Sequence, residues 1–242
     1  MQLRLELAAS VAKDPLRPEA NEDVYELGGN CFALADGASE SYDSQTWAKM
    51  LSSKFILDQQ VNAQWIAERV KTYADATDFQ SLSWSRRAAF DRGSFATLLG
   101  LKLVSDGSGV QILSVGDSLA LHVRDGVMIN SFPFTKHEEF DARPQLMSTL
   151  GAANYFVDTP EFLALKSTTW QITAGDKVLL VTDAVGHWIL AQNDVLKDLN
   201  SVISAGEFEQ LVISKRIART MRLDDSSVLR FLVIDNDEQP QL

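Results

Sequence analysis

The stretch CFALADGASES, residues 31–41, runs through unbroken apolar residues to one aspartate, Asp36, then breaks on Gly37 and a cluster of small and polar residues. A short apolar run bounded by turn residues reads as a buried strand. A carboxylate at its end means little alone, because aspartate is also a common turn residue and helix cap. Company changes that reading. ILSVGDS puts Asp117 just past another apolar run, and KVLLVTDA puts Asp183 at the end of a third. MRLDDSSVLRFLVID puts Asp224 and Asp225 just before a fourth, and ANEDVYEL puts Glu22 and Asp23 just before a fifth.

Stiff strands that each carry a carboxylate at one end suit a specific chemistry. Oxygen ligands select hard, octahedral cations such as Mg²⁺ or Mn²⁺. A two-ion site needs a few carboxylates held rigidly, and strand ends are rigid. The glycine after Asp36 lets the backbone turn sharply, which frees its carbonyl to face an ion or a bound water.

Working outward, VYELGGNCFALAD reads as two strands joined through Gly28-Gly29-Asn30, and LRLEL at the start alternates as a strand. KDPLRPEANED between them reads as a loop. From Ser44, apolar residues at Trp47, Met50, Leu51 and Phe55 fall at helical spacing, with Ser41, Asp43 or Ser44 as cap. NAQWIAERVKTYA and SLSWSRRAAFDR give two more helices. Strands follow in SFATLLGLKLV, VQILSVGDS and LALHVRDGVMINSF, the last split by an Asp125-Gly126 hairpin turn. Residues 133–154 show weak periodicity and read as irregular surface. TTWQI, KVLLVTD and SVLRFLVID read as strands, and AVGHWILAQ and EFEQLVISKRIARTM as helices. Hairpin connections predominate, so the expectation is an α+β fold of two packed, mainly antiparallel sheets with helices outside.

The chain has 242 residues, which suits one domain, here 1–242, with one well-filled core. Lys plus Arg is 22 and Asp plus Glu 33, a net charge of −11. That balance, without a basic cluster, argues against nucleic-acid binding. The lone cysteine, Cys31, sits in an apolar run and reads as a buried inert thiol rather than a nucleophile. No apolar stretch reaches membrane-spanning length and no signal peptide is evident, so the expected location is the cytoplasm, with no membrane partner. His122, His137 and His187 do not pair at zinc-ligand spacing.

In their order, NED, FALADG, SVGDS, LLVTD and DDSSV resemble the motifs of PPM-type metal-dependent protein phosphatases, the protein phosphatase 2C type. The resemblance covers 17–233, and DGASES, GSFATLLG and TDAVGHWIL look most like a bacterial branch of compact stand-alone domains. It implies an α-β-β-α sandwich with a centre of two Mn²⁺ or Mg²⁺ ions at one end. It implies that Asp36 bridges the ions, that the Gly37 carbonyl faces one of them, and that Asp183 and Asp224 are direct ligands. Glu22 and Asp23 match acidic residues that hold metal-bound waters or complete the shell. Asp117 matches an aspartate that helps hold a weaker third ion in several bacterial members. Arg17 matches the arginine that grips substrate phosphate. The implied reaction is hydrolysis of phosphoserine or phosphothreonine by a metal-activated water, without a phosphoenzyme. The implied partner is a phosphorylated protein, the substrate of a Ser/Thr kinase.

The chain departs from the family pattern in places. Ala38-Ser39-Glu40 replaces a small, glycine-rich segment, Ala184 follows Asp183 where glycine is usual, and Asp225 stands where asparagine is usual. Arg17 lies four residues before Asn21, one more than the commonest bacterial spacing. These departures frame an alternative, a catalytically weak or inactive module that binds phosphoproteins. A third reading, a calcium-binding lectin-like sandwich, conflicts with the long helical segments.

Overall fold

The computed structural model describes residues 1–39, 41–192 and 195–235. Two five-stranded sheets form its centre. The first contains β1 (Gln2–Val11), β7 (Leu119–Arg124), β8 (Val127–Phe132), β11 (Lys177–Val181) and β12 (Ser226–Ile234), in the order β1-β12-β11-β7-β8. The second contains β2 (Asp23–Leu27), β3 (Cys31–Asp36), β5 (Leu98–Leu103), β6 (Gly109–Val115) and β10 (Ser167–Gln171), in the order β10-β6-β5-β3-β2. All pairings within them are antiparallel. β4 (Phe95–Ala96) and β9 (Met147–Ser148) form a small separate pair.

The unbroken apolar runs follow from layering. Successive side chains of a strand point to opposite faces, and here both faces are covered. From β3, Phe32 and Leu34 point between the sheets, where they meet Leu180 of β11 and Leu229 and Phe231 of β12. The rings of Phe32 and Phe231 meet across the interface at 4.3 Å, tilted by 42°. Ala33 and Ala35 point the other way, onto α1 (Ser44–Leu57) and α2 (Ala63–Ala76), which supply Trp47, Leu51, Phe55, Trp65 and Ile66. On the opposite outer face, Leu179 and Val181 of β11 meet α5 (Asp183–Ala191), α6 (Val195–Ser201) and α7 (Ala205–Ile217) through Trp188, Leu199 and Phe208. The sandwich expected from the sequence is therefore the observed architecture.

Local chemistry explains the connections. Asp125 and Gly126 take φ of 51° and 77°, the paired positive values of a type I′ turn, so β7 and β8 form the expected hairpin. α3 (Trp84–Asp91) begins at Ser83, whose hydroxyl accepts the Arg86 N–H. SFATLLGLKLV does not form one strand. It breaks at Thr97, whose hydroxyl accepts the Asp36 N–H at 2.8 Å and pairs with Ser118 at 2.9 Å. The segment 133–154 lacks long elements as expected, with a 3₁₀ turn at His137–Asp141 and β9 within it. Two α-helices escaped the sequence reading, α6 and the short α4 (Phe162–Lys166).

One glycine measures how tightly the helical layer seats. On β5, Gly100 shares a face with Leu98, towards α1, and a Cβ there would lie 2.1 Å from the Phe55 ring. Gly100→Ala is expected to destabilise the protein by about 1–3 kcal/mol, because the large Phe55 side chain must leave a packed site. A thermal melt of the variant at or above the wild-type midpoint would show that this contact is not tight.

Candidate active site

Antiparallel pairing brings the strand-end carboxylates to one end of the sandwich. Asp23 at the start of β2 pairs with Asp36 at the end of β3. In the facing sheet, Val181 at the end of β11 pairs with Leu119 at the start of β7 and with Val228 near the start of β12. Asp183, Asp117 and Asp224 extend from those ends. Asp36, Gly37, Thr97, Asp117, Asp183 and Asp224 line a shared cavity of about 150 Å³. Gly37 is fixed by space: a Cβ there would lie 2.9 Å from the Ser44 backbone at the start of α1.

The carboxylates crowd one another. Burial, followed by the charges of Asp23, Asp183, Asp117 and Asp224, pushes the Asp36 carboxyl well above the usual range. Asp183 is pushed up to about 7, first by burial and then by Asp117 and Asp224, although its Oδ1 accepts the Ala184 N–H at 2.5 Å. Burial also raises Asp117, against the pull of Arg222. Asp23 is 8% exposed and strongly raised, chiefly by burial. Its Oδ2 accepts the Ser227 hydroxyl at 2.6 Å and the Thr182 hydroxyl at 3.1 Å, while its Oδ1 is buried without a partner.

Glu22 and Asp225 are engaged differently. The Glu22 carboxylate accepts the Ser44 hydroxyl and the Lys13 ammonium, the latter at 3.3 Å. Asp225 accepts the Lys13 N–H at 2.6 Å through Oδ1 and the Glu22 N–H at 2.7 Å through Oδ2. Each N–H meets its own carboxylate oxygen, whereas an asparagine in the same pose would turn its own NH₂ donor towards one of them. The unusual residue at this position is therefore a latch, tying the two segments around 13 and 22 to the start of β12.

Arg17 is placed apart from the cavity. Its side chain is 68% exposed and its Nε pairs with Asp14 at 2.8 Å. Lys13 stands beside the acidic residues, and its ammonium donates to Ser39 and Glu22. Burial opposes its charge, but Glu22, Asp224 and Asp225 outweigh that and raise its pKa above the usual lysine value. Sequence reasoning passed over Lys13, although it follows the apolar end of β1 as the carboxylates follow or precede other strands. It also passed over Arg216 on α7. That guanidinium donates to the carbonyls of Ala12 at 2.8 Å and Asp224, and to the Ser226 hydroxyl at 3.0 Å. Glu40 lies outside the described residues.

No family model and no curated protein matches this chain. Solved structures do. The photosystem II phosphatase PBCP aligns with a TM-score of 0.64 and 17% identity, over 96% of this chain and 98% of its own. The catalytic domain of the serine/threonine protein phosphatase PstP, in complex with two manganese ions, aligns with a TM-score of 0.57 and 19% identity, over 96% and 99%. The PPM Ser-Thr phosphatase MsPP from Mycobacterium smegmatis, in complex with cacodylate, aligns with a TM-score of 0.54 and 20% identity, over 95% and 99%. The chain has the PPM phosphatase fold.

Whether this PPM-fold chain suits metal ions can be judged from its own residues. The mutual repulsion of Asp36, Asp117, Asp183 and Asp224, and the orphaned buried oxygen of Asp23, would both be relieved by cations. Among the described residues, no three His, Cys, Asp or Glu side chains are grouped to hold an ion by themselves. Mg²⁺ and Mn²⁺ are hard cations, and Mg²⁺ typically keeps several waters and takes only one or two carboxylates directly. The donor set, all oxygen, fits the same ions.

Proposed function

We propose that this protein is a Mn²⁺- or Mg²⁺-dependent phosphatase that hydrolyses phosphoserine and phosphothreonine in proteins. The observation that carries this reading is the set of carboxylates converging from both sheets on one cavity of the PPM fold. Asp36, Asp183 and Asp224 are the residues assigned to hold two cations directly, with the Gly37 carbonyl beside them. Asp23 and Glu22 complete the surroundings through waters, and Asp117 serves a weaker third ion. Bound there, divalent cations supply an activated water and neutralise charge on the phosphoryl oxygens.

The chain's own residues do the rest. Asp225 and Arg216 hold the segments that carry Lys13, Glu22 and Asp224 in fixed relation. Thr97 holds the Asp36 backbone, so that carboxylate is set by two strands rather than one. Lys13, beside Ser39 at the cavity wall, meets the phosphoryl group as a point charge. Water adds to phosphorus, the bond from phosphorus to the serine or threonine oxygen breaks, and that oxygen takes a proton. The products are inorganic phosphate and the free hydroxyl side chain. Cys31 takes no part: it is buried on the helix-facing side of β3, and burial pushes its thiol up to about 11.

The test is phosphate release from a phosphothreonine peptide and from p-nitrophenyl phosphate at increasing Mn²⁺. The assignment of Lys13 has its own check. Lys13→Met is expected to lower kcat/KM for either substrate about 10- to 100-fold, the scale of one lost charge-assisted contact to phosphate. Arg17→Ala is expected to change it less than about twofold, since an exposed ion pair contributes little. The reverse ranking would return the phosphate contact to Arg17.

A further inference from the structure

A second, larger space opens from the acidic cavity. Its volume is about 1040 Å³, and it shares Ala38, Ser39, Pro144, Leu146 and Asp224 with the cavity. Beyond that shared wall, the charged residues lining it among the described residues are both basic, Arg92 and Arg143. This is notable in a chain of net charge −11. Arg143 is exposed and has no hydrogen-bond or ion-pair partner among the described residues. It lines the larger space and directly precedes Pro144, which lines both. Arg92 ends α3 and gives one N–H to its own helix, at the Ala88 carbonyl, 3.0 Å away. Phe95 and the 72%-exposed Tyr155 add an aromatic wall.

This cleft is too large for a phosphate and too open for a small-molecule pocket, but suits a stretch of extended polypeptide leading to the cavity. The acidic cavity would take a phosphate only with cations bound, whereas the basic cleft attracts negative charge directly. We propose that the cleft selects phosphopeptides that carry Asp or Glu beside the phosphorylated residue, with Arg143 and Arg92 as the specificity-determining contacts. This rests on the phosphatase reading above, and it adds the substrate class. The free guanidinium of Arg143 can take a carboxylate through two parallel N–H bonds. The cleft is open to solvent, so the preference weakens as salt rises.

The experiment uses the full chain and three readouts. Phosphothreonine peptides with Glu, Ala or Lys at each position flanking the phosphothreonine are compared by kcat/KM. The same peptides, fluorescently labelled, are compared by anisotropy for binding. Hydrolysis of p-nitrophenyl phosphate, which does not reach the cleft, is measured in parallel. The Glu peptides are expected to exceed the Lys peptides about five- to tenfold at one or more positions, in turnover and binding. Arg143→Glu is expected to reverse that order and to leave p-nitrophenyl phosphate hydrolysis within about twofold, and Arg92→Glu to weaken it. Equal Glu and Lys peptides in both readouts, or an order unchanged by Arg143→Glu, would overturn the inference while leaving the phosphatase reading intact. If neither small substrate nor peptide is hydrolysed, the phosphatase reading fails, and the anisotropy series still decides whether the cleft prefers acidic segments.

Discussion

Asp36→Asn is expected to remove metal-dependent phosphate release, by about a thousandfold or more in kcat/KM, while making the metal-free protein harder to melt. Both effects have one origin. Asp36 stands at the meeting point of Asp23, Asp117, Asp183 and Asp224, and each of those charges disfavours its ionised form. An amide of the same shape removes one ionisable group from a buried cluster of like charges, which lowers the free energy of the folded metal-free chain. The same change removes the carboxylate assigned to bridge two cations. Loss of that shared ligand costs the transition state on the order of 4 kcal/mol, or about a thousandfold in rate. Calorimetric titration with Mn²⁺ and a thermal melt without metal separate the two effects. A variant that keeps wild-type activity, or one that melts well below the wild type without metal, would show that Asp36 is a structural turn residue.

Arg216→Met is expected to cost about 2–4 kcal/mol of stability and to weaken Mn²⁺ binding, because Arg216 holds the backbone of Asp224 without itself being a candidate ligand. The guanidinium is partly buried, and burial lowers its pKa against the pull of Asp225, Asp224 and Asp23. It holds the Ala12 carbonyl after β1, the Asp224 carbonyl before β12 and the Ser226 hydroxyl. Methionine matches much of its apolar stem and removes the guanidinium donor from all three, leaving the Asp224 carbonyl with the Ser226 hydroxyl. Hydrogen bonds to charged groups contribute about 1.5–3 kcal/mol each in favourable cases, and stranded buried acceptors carry a similar penalty. A loss of this size lowers Tm by about 4–16 °C for a domain of this length. Because Asp224 and Lys13 hang from the same strut, their positions loosen together. Arg216→Lys, which keeps the charge but not the fork, is expected to recover only part of either property. A melt within about a degree of the wild type would show the strut to be dispensable.

The layering of the fold was legible because the strands are apolar on both faces and the long helices on one. Asp125-Gly126 and Gly28-Gly29-Asn30 marked their hairpins for the same local reason, the need for a tight turn. The break at Thr97 was not legible, since the alternation of SFATLLGLKLV is that of a single strand. Only the tertiary contacts of its hydroxyl with Asp36 and Ser118 show why the strand divides. The short helices α4 and α6 carry too few turns for periodicity to reveal them. In the site, aspartates at strand ends could be read from the chain because each follows or precedes its own apolar run. Their gathering at one end required the antiparallel register. The latch of Asp225 and the strut of Arg216 link residues more than 200 positions apart, so no local pattern carries them. Arg17 was assigned by resemblance alone, with no local pattern behind it; in the fold its exposed guanidinium pairs with Asp14.

The central claim is that the carboxylates converging on this cavity make the chain a metal-dependent protein phosphatase. Its most direct test is phosphate release from a phosphothreonine peptide by the purified protein, stripped of metal and then supplied with Mn²⁺, beside the Asp36→Ala variant. Release that is absent after chelation, rises with Mn²⁺ and is missing in the variant is the expected result. A folded wild type that binds the peptide yet releases no more phosphate than Asp36→Ala at any Mn²⁺ concentration would contradict it.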